Sequence, residues 1–235
     1  MTLLSRNKKE TPPKTAQAEG LSPVVLELLA SRICHDLISP VGAIHNGIEF
    51  LQEMGADSAD DAIALLDHSA KTAAARLQAF RLVYGLGGRD PHIEPKDVYK
   101  TFGDLLATDE KVTQDWDPRC ETLFSEHARP DGLCKMLMGA LMLAQECLPK
   151  GGTVTVTPGN PHQWIVTAHS ESPLLRPQVG DALARTIPPD DLDPRLVHPY
   201  AIAMLAAFYN FNIAIAAEGE QSVTVTLTAL PKADA

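Results

Sequence analysis

Leu29-Ala30-Ser31-Arg32-Ile33-Cys34-His35-Asp36-Leu37-Ile38-Ser39-Pro40 is the stretch from which the fold is read. Ile33 and Leu37 stand four apart, and Val41, Ile44, Ile48 and Leu51 continue the stripe within an arc of roughly 80° on a helical wheel. Upstream, Ser22-Pro23 supplies an N-cap and a first-turn proline. The pattern runs on to about Met54, where Gly55 and the Asp57-Ser58 pair give stop and restart signals. A second helix follows from Asp60 to about Tyr84, with Ile63, Leu66, Ala70, Ala73, Leu77, Phe80 and Tyr84 at the 3-4 spacing of a bundle seam. It ends near Gly85, Gly87 and Gly88. Two such helices joined by a short turn form an antiparallel hairpin. A lone hairpin leaves part of each apolar face wet, so a homodimer closing a four-helix bundle is expected.

On both sides of the hairpin the texture changes. Residues 1–20 are mostly polar and offer little apolar surface to offset the entropy of ordering, which predicts a disordered tail. After Pro91 comes an α/β pattern: a helix from Pro95 to Ala107, a strand from Lys111 to Trp116, and an apolar helix from about Pro130 to Leu148. Strands are predicted over Thr153–Thr157, Gln163–Ala168, Asn212–Ala217 and Ser222–Leu230, with a helix from Pro199 to Tyr209 between the two pairs. The fold class is therefore α+β. The hairpin spans 21–88, and 89–235 forms an α/β sandwich with helices on one face of a mixed sheet.

Composition narrows the partners. The 235-residue chain is 45% hydrophobic, enough for a sizeable core, and carries a formal net charge of −10. Broad contact with nucleic acid or anionic lipid needs clustered Lys and Arg, so a protein partner is expected, with no nucleic acid and no membrane. No apolar run approaches the roughly 20 residues of a membrane span and no signal-peptide core follows Leu3-Leu4, which predicts a cytoplasmic protein. Cys34, Cys120, Cys134 and Cys147 show no close metal-ligand spacing and read as reduced, mostly packing residues.

His35 is the residue suited to chemistry. On the wheel it lies roughly 160° from the centre of the apolar stripe, so it faces away from its own hairpin. Ser31, Gly42 and Glu49 share its column, the first two small enough for close approach, and Ile38 adds an apolar foothold beside it. By helix position Ser31, Arg32, Ile38, Ser39, Gly42 and His45 are the candidate partner-binding residues. A neutral imidazole offers a lone pair near pH 7 and can carry a phosphoryl group. Asp36 is placed to accept the ring N–H at one nitrogen and leave the other nucleophilic. Pro40 lacks an N–H and so frees the carbonyl of Asp36, predicting a kink one turn beyond His35.

His35-Asp36-Leu37-Ile38-Ser39-Pro40 resembles the His-box of two-component dimerisation and phosphotransfer domains. With Leu29-Ala30-Ser31-Arg32-Ile33-Cys34 before it and Glu146-Cys147-Leu148-Pro149-Lys150-Gly151-Gly152 later, the chain from Leu21 to Leu230 resembles the ChpT-type histidine phosphotransferases of alphaproteobacteria. These look like a histidine kinase core with a degenerate ATPase domain of the Bergerat type. The resemblance implies that His35 accepts a phosphoryl group from the receiver domain of a hybrid histidine kinase and passes it to response regulator receiver domains. It implies no cofactor on this chain, with Mg2+ held by the partner receiver. A kinase of this fold would need an asparagine on its long helix, an Asp-x-Gly-x-Gly turn and a glycine-rich lid. Here Leu133 to Leu148 has no Asn, His169-Ser170-Glu171-Ser172-Pro173 follows the strand, and only Gly180 lies between Asn160 and Glu218. The competing readings are a weakly active histidine kinase and a non-catalytic dimer that sequesters response regulators.

Overall fold

The structure, a computed structural model, describes residues 22–54, 59–86, 92–125 and 129–231. The expected tail over 1–20, the turn signals at Gly55 and Asp57-Ser58, and the stop at Gly87-Gly88 lie outside these residues.

Two long helices, α1 (Pro23–Met54) and α2 (Ala59–Val83), form the hairpin. Their mutual contact uses only part of the apolar stripe. Val25, Pro40 and Gly47 are buried on α1, and Ala62, Ser69, Thr72, Ala75, Ala79 and Val83 on α2. A Cβ on Gly47 would lie 3.0 Å from Leu66 Cδ2, so the helices approach closely there. The stripe read from the sequence therefore divides. Ile33, Leu37, Ile44 and Leu66 turn inward, whereas Val41, Ile48, Ile63 and Leu77 stay exposed on the single chain.

The remaining elements are α3 (Pro95–Leu106), β1 (Val112–Asp115), α4 (Glu121–Phe124), α5 (Leu133–Glu146), β2 (Gly152–Pro158), β3 (Gln163–His169), α6 (Val179–Leu183), α7 (Val197–Phe208), β4 (Phe211–Glu218) and β5 (Ser222–Ala229). They build one five-stranded sheet in the order β1-β2-β3-β5-β4, with β1 and β2 parallel and the other pairs antiparallel. Register sets Val156 opposite Val166, and Val166 and Ile215 both opposite Val225. This apolar row faces α5, while the adjacent row of Thr155, Thr167 and Thr224 faces the other way, as a period of two requires.

α5 is the axis of the core, with every residue from Leu133 to Ala144 buried. It starts at Leu133, three residues later than the pattern suggests, because Gly132 takes φ +80 and a Cβ there would meet Tyr209 Cδ1 at 2.4 Å. The one charge within that buried stretch, Lys135, is 2% exposed. Its ammonium donates to the carbonyls of Leu82 (3.1 Å), Val83 (2.6 Å) and Gly85 (2.7 Å). Carbonyls at a helix end have no intrahelical donor, so a side chain of the second region caps α2.

Candidate functional site

α1 continues without a break past Pro40, and His35 projects from it with 89% of its side chain exposed. Around it Ser31, Ile38, Ser39 and His45 are exposed, Ile38 at 69%, and nothing lies within 4 Å of where a Cβ on Gly42 would sit. His45 pairs with Glu49 at 3.3 Å one turn on. The structure thus brings the outward column together as the helical wheel predicts. Arg32 departs from it, because its side chain turns towards α5.

That turn organises the inner side of the site. Glu146, the last residue of α5, accepts from the Arg32 guanidinium. The pair is mostly buried, and a cation at a helix C-terminus also meets the negative end of the helix dipole. Burial works against the Arg32 charge, yet Glu146 first, with Tyr84 and Asp36, more than offsets it and raises the pKa above the ordinary arginine value. The Asp36 carboxylate sits between two groups. Its Oδ1 lies 3.4 Å from His35 Nδ1, and its Oδ2 lies 4.0 Å from Arg32 Nε. The former is at the long end for a hydrogen bond.

Arg76 on α2 donates to the backbone carbonyl of Asp36. Residue 40 would supply that donor in an uninterrupted helix, and as proline it cannot. Arg32, Asp36, Arg76, Phe80, Met142 and Glu146 line a cleft of about 490 Å3 between the hairpin and the second region.

Deeper in, the Tyr84 hydroxyl and Nδ1 of the fully buried His198 are hydrogen-bonded, and His198 Nε2 lies 3.2 Å from the Gly139 carbonyl. Burial pushes the imidazole pKa down to about 4 and raises that of the phenol. A neutral ring donating from Nε2 and accepting at Nδ1 satisfies both contacts. Mid-helix on α5, a Cβ on Gly139 would lie 3.0 Å from Ile202 Cγ2, so α5 and α7 pack closely there. The segment after β3 folds inward, burying Val179, Ala182, Leu183, Leu192 and Leu196. Among the described residues no group of three or more His, Cys, Asp or Glu could hold a metal ion.

Arg76, Lys135 and the Tyr84–His198 pair are additions to the sequence reading. Only Arg76 had a signal there: a carbonyl freed by Pro40 requires a donor from outside its own helix.

A helical hairpin bearing an exposed histidine, joined to a mixed-sheet domain, is the architecture of a phosphotransfer protein. The family described as histidine phosphotransferase C-terminal domain matches residues 95–221. Protein phosphotransferase ChpT of Brucella abortus (strain 2308) is 32% identical over 200 residues, covering 83% of this chain and 91% of that one. A solved bacterial phosphotransferase superposes with a TM-score of 0.68 at 28% identity, covering 88% of this chain and 98% of that chain. The chain belongs to the histidine phosphotransferase family. No helix among the described residues is long and apolar enough to cross a membrane.

Proposed function

We propose that this protein is the histidine phosphotransferase of a phosphorelay: His35 accepts a phosphoryl group from the receiver domain of a hybrid histidine kinase and passes it to aspartates of response regulator receivers. The observation that carries this reading is His35 itself, an imidazole 89% exposed on an outer helix face with a carboxylate 3.4 Å from its inner nitrogen. With the proton on Nδ1 directed at Asp36, the Nε2 lone pair attacks the phosphorus of the aspartyl phosphate. The N–P bond forms as the P–O bond breaks, and the electron pair leaves on the receiver's carboxylate. The imidazolium keeps its Nδ1 proton against Asp36, and the reverse steps load the next receiver. The magnesium that neutralises phosphate charge belongs to the receiver.

Two further features support the reading. α5 carries no asparagine and only Gly180 lies between Asn160 and Glu218, which supports transfer without ATP. The exposed Val41 and Ile48 on α1, and Ile63 and Leu77 on α2, are the faces a second copy would cover in a four-helix bundle.

The test is incubation with phosphorylated receivers. Wild type takes up label that acid removes and base spares, and His35→Ala takes up none. Equal labelling of His35→Ala, or no labelling of wild type by any receiver, overturns the proposal. Saturable binding of a fluorescent ATP analogue would favour a kinase instead.

A further inference from the structure

Two oxygens of one carboxylate face two different partners at the centre of the site. Asp36 Oδ1 faces His35, and Oδ2 faces Arg32. A guanidinium is a far stronger partner for a carboxylate than a neutral imidazole N–H, and Arg32 stands only four residues away on the same helix. Left to itself it would close on Asp36 in a bidentate pair and take both oxygens. It does not do so here. Its Nη2 is engaged by Glu146 from the end of α5, while its Nε is buried without a hydrogen-bond partner and remains 4.0 Å from Asp36. Arg76 fixes the Asp36 backbone from the other side through its carbonyl.

We infer that Glu146 is a positioning residue for phosphotransfer: by holding Arg32 back from Asp36, it keeps one carboxylate oxygen available to His35 Nδ1 and so leaves Nε2 as the nucleophile. The second region thus acts on the phosphorylation site through a single ion pair across the cleft. This inference rests on the proposed role of His35, and its first readout is independent of any phosphoryl transfer.

That readout is the pair of ring-nitrogen signals of His35 in the full-length protein labelled with 15N-histidine, identified by their loss in His35→Asn. In wild type the shifts report the proton on Nδ1. In Glu146→Gln, Arg32 is released onto Asp36, and the shifts move towards the average of the two tautomers. In Glu146→Gln combined with Arg32→Met, the competitor is gone and the wild-type shifts return. A pair that merely braces two parts of the molecule would change the melting temperature in both variants and the His35 signals in neither. Unchanged shifts in Glu146→Gln, or no recovery in the double variant, overturn the inference. The second readout is the initial rate of phosphoryl acceptance, which falls roughly 10- to 100-fold in Glu146→Gln, by analogy with the loss of outer partners of a metal-bound histidine. A full rate in Glu146→Gln also overturns it. Absence of label from wild-type His35 would defeat the phosphotransfer reading alone and leave the tautomer result standing.

Discussion

Arg76 donates to the carbonyl of Asp36, the one carbonyl of α1 that Pro40 strips of its helical donor. A proline inside a helix is therefore matched by an arginine on the neighbouring helix, forty residues from the carbonyl it serves and next to the phosphorylation site proposed above. Replacing Arg76 by Met leaves that carbonyl without a donor and costs about 1.5–3 kcal/mol, the range for a hydrogen bond to a charged group. In a Pro40→Ala background residue 40 supplies the donor, and the same substitution costs at most about half as much. Urea denaturation of the four combinations measures the coupling. Equal losses in both backgrounds would show that Arg76 acts elsewhere.

Removing the Lys135 ammonium leaves the carbonyls of Leu82, Val83 and Gly85 without this donor inside the protein. Lys135→Met is expected to lower stability by about 2 kcal/mol or more. Hydrogen exchange should quicken first in the last turn of α2. A variant as stable as wild type would refute this account of the cap.

His198 titrates from an ordinary value of 6.5 in the unfolded chain to about 4 in the fold. Between these values the unfolded chain binds the proton and the folded one does not. The stability this site contributes is complete above about pH 6.5 and declines as pH falls towards 4, by on the order of 3 kcal/mol in total. In His198→Gln that part of the slope should vanish, and denaturation midpoints taken from pH 4 to 7 provide the check.

Leu77 is 55% exposed on α2, on the face proposed for a second copy. Leu77→Glu places a charge in that interface and should shift the protein from dimer to monomer in sedimentation velocity without changing its helical content. A wild-type protein that sediments as a monomer at every concentration would rule the interface out.

Much of the architecture was legible in the sequence because long amphipathic helices and alternating strands announce themselves by period. The outward direction of His35 followed from the same arithmetic. α6 and α4, each five residues or fewer, fall below what a period of 3.6 can display. A helical wheel also says which side a residue occupies but not which neighbour meets it. Arg32 shares a wheel position with contact candidates, yet a partner 114 residues away turns it inward. The seam was similarly ambiguous: one stripe of apolar residues serves both the hairpin's own contact and the face left exposed, and periodicity alone does not apportion Val41 and Leu37 between them.

The lysine cap on α2 bears on modularity. A phosphotransfer hairpin is a natural candidate for excision or for grafting onto another domain, since its helices are contiguous in the chain. Here the last turn of α2 depends on an ammonium that arrives only when α5 is in place, and a buried ammonium would in turn lose three of its acceptors if that turn frayed. Each part supplies what the other needs to be finished, so the two should unfold in a single cooperative transition. A hairpin separated from the rest of the chain would not be a portable unit.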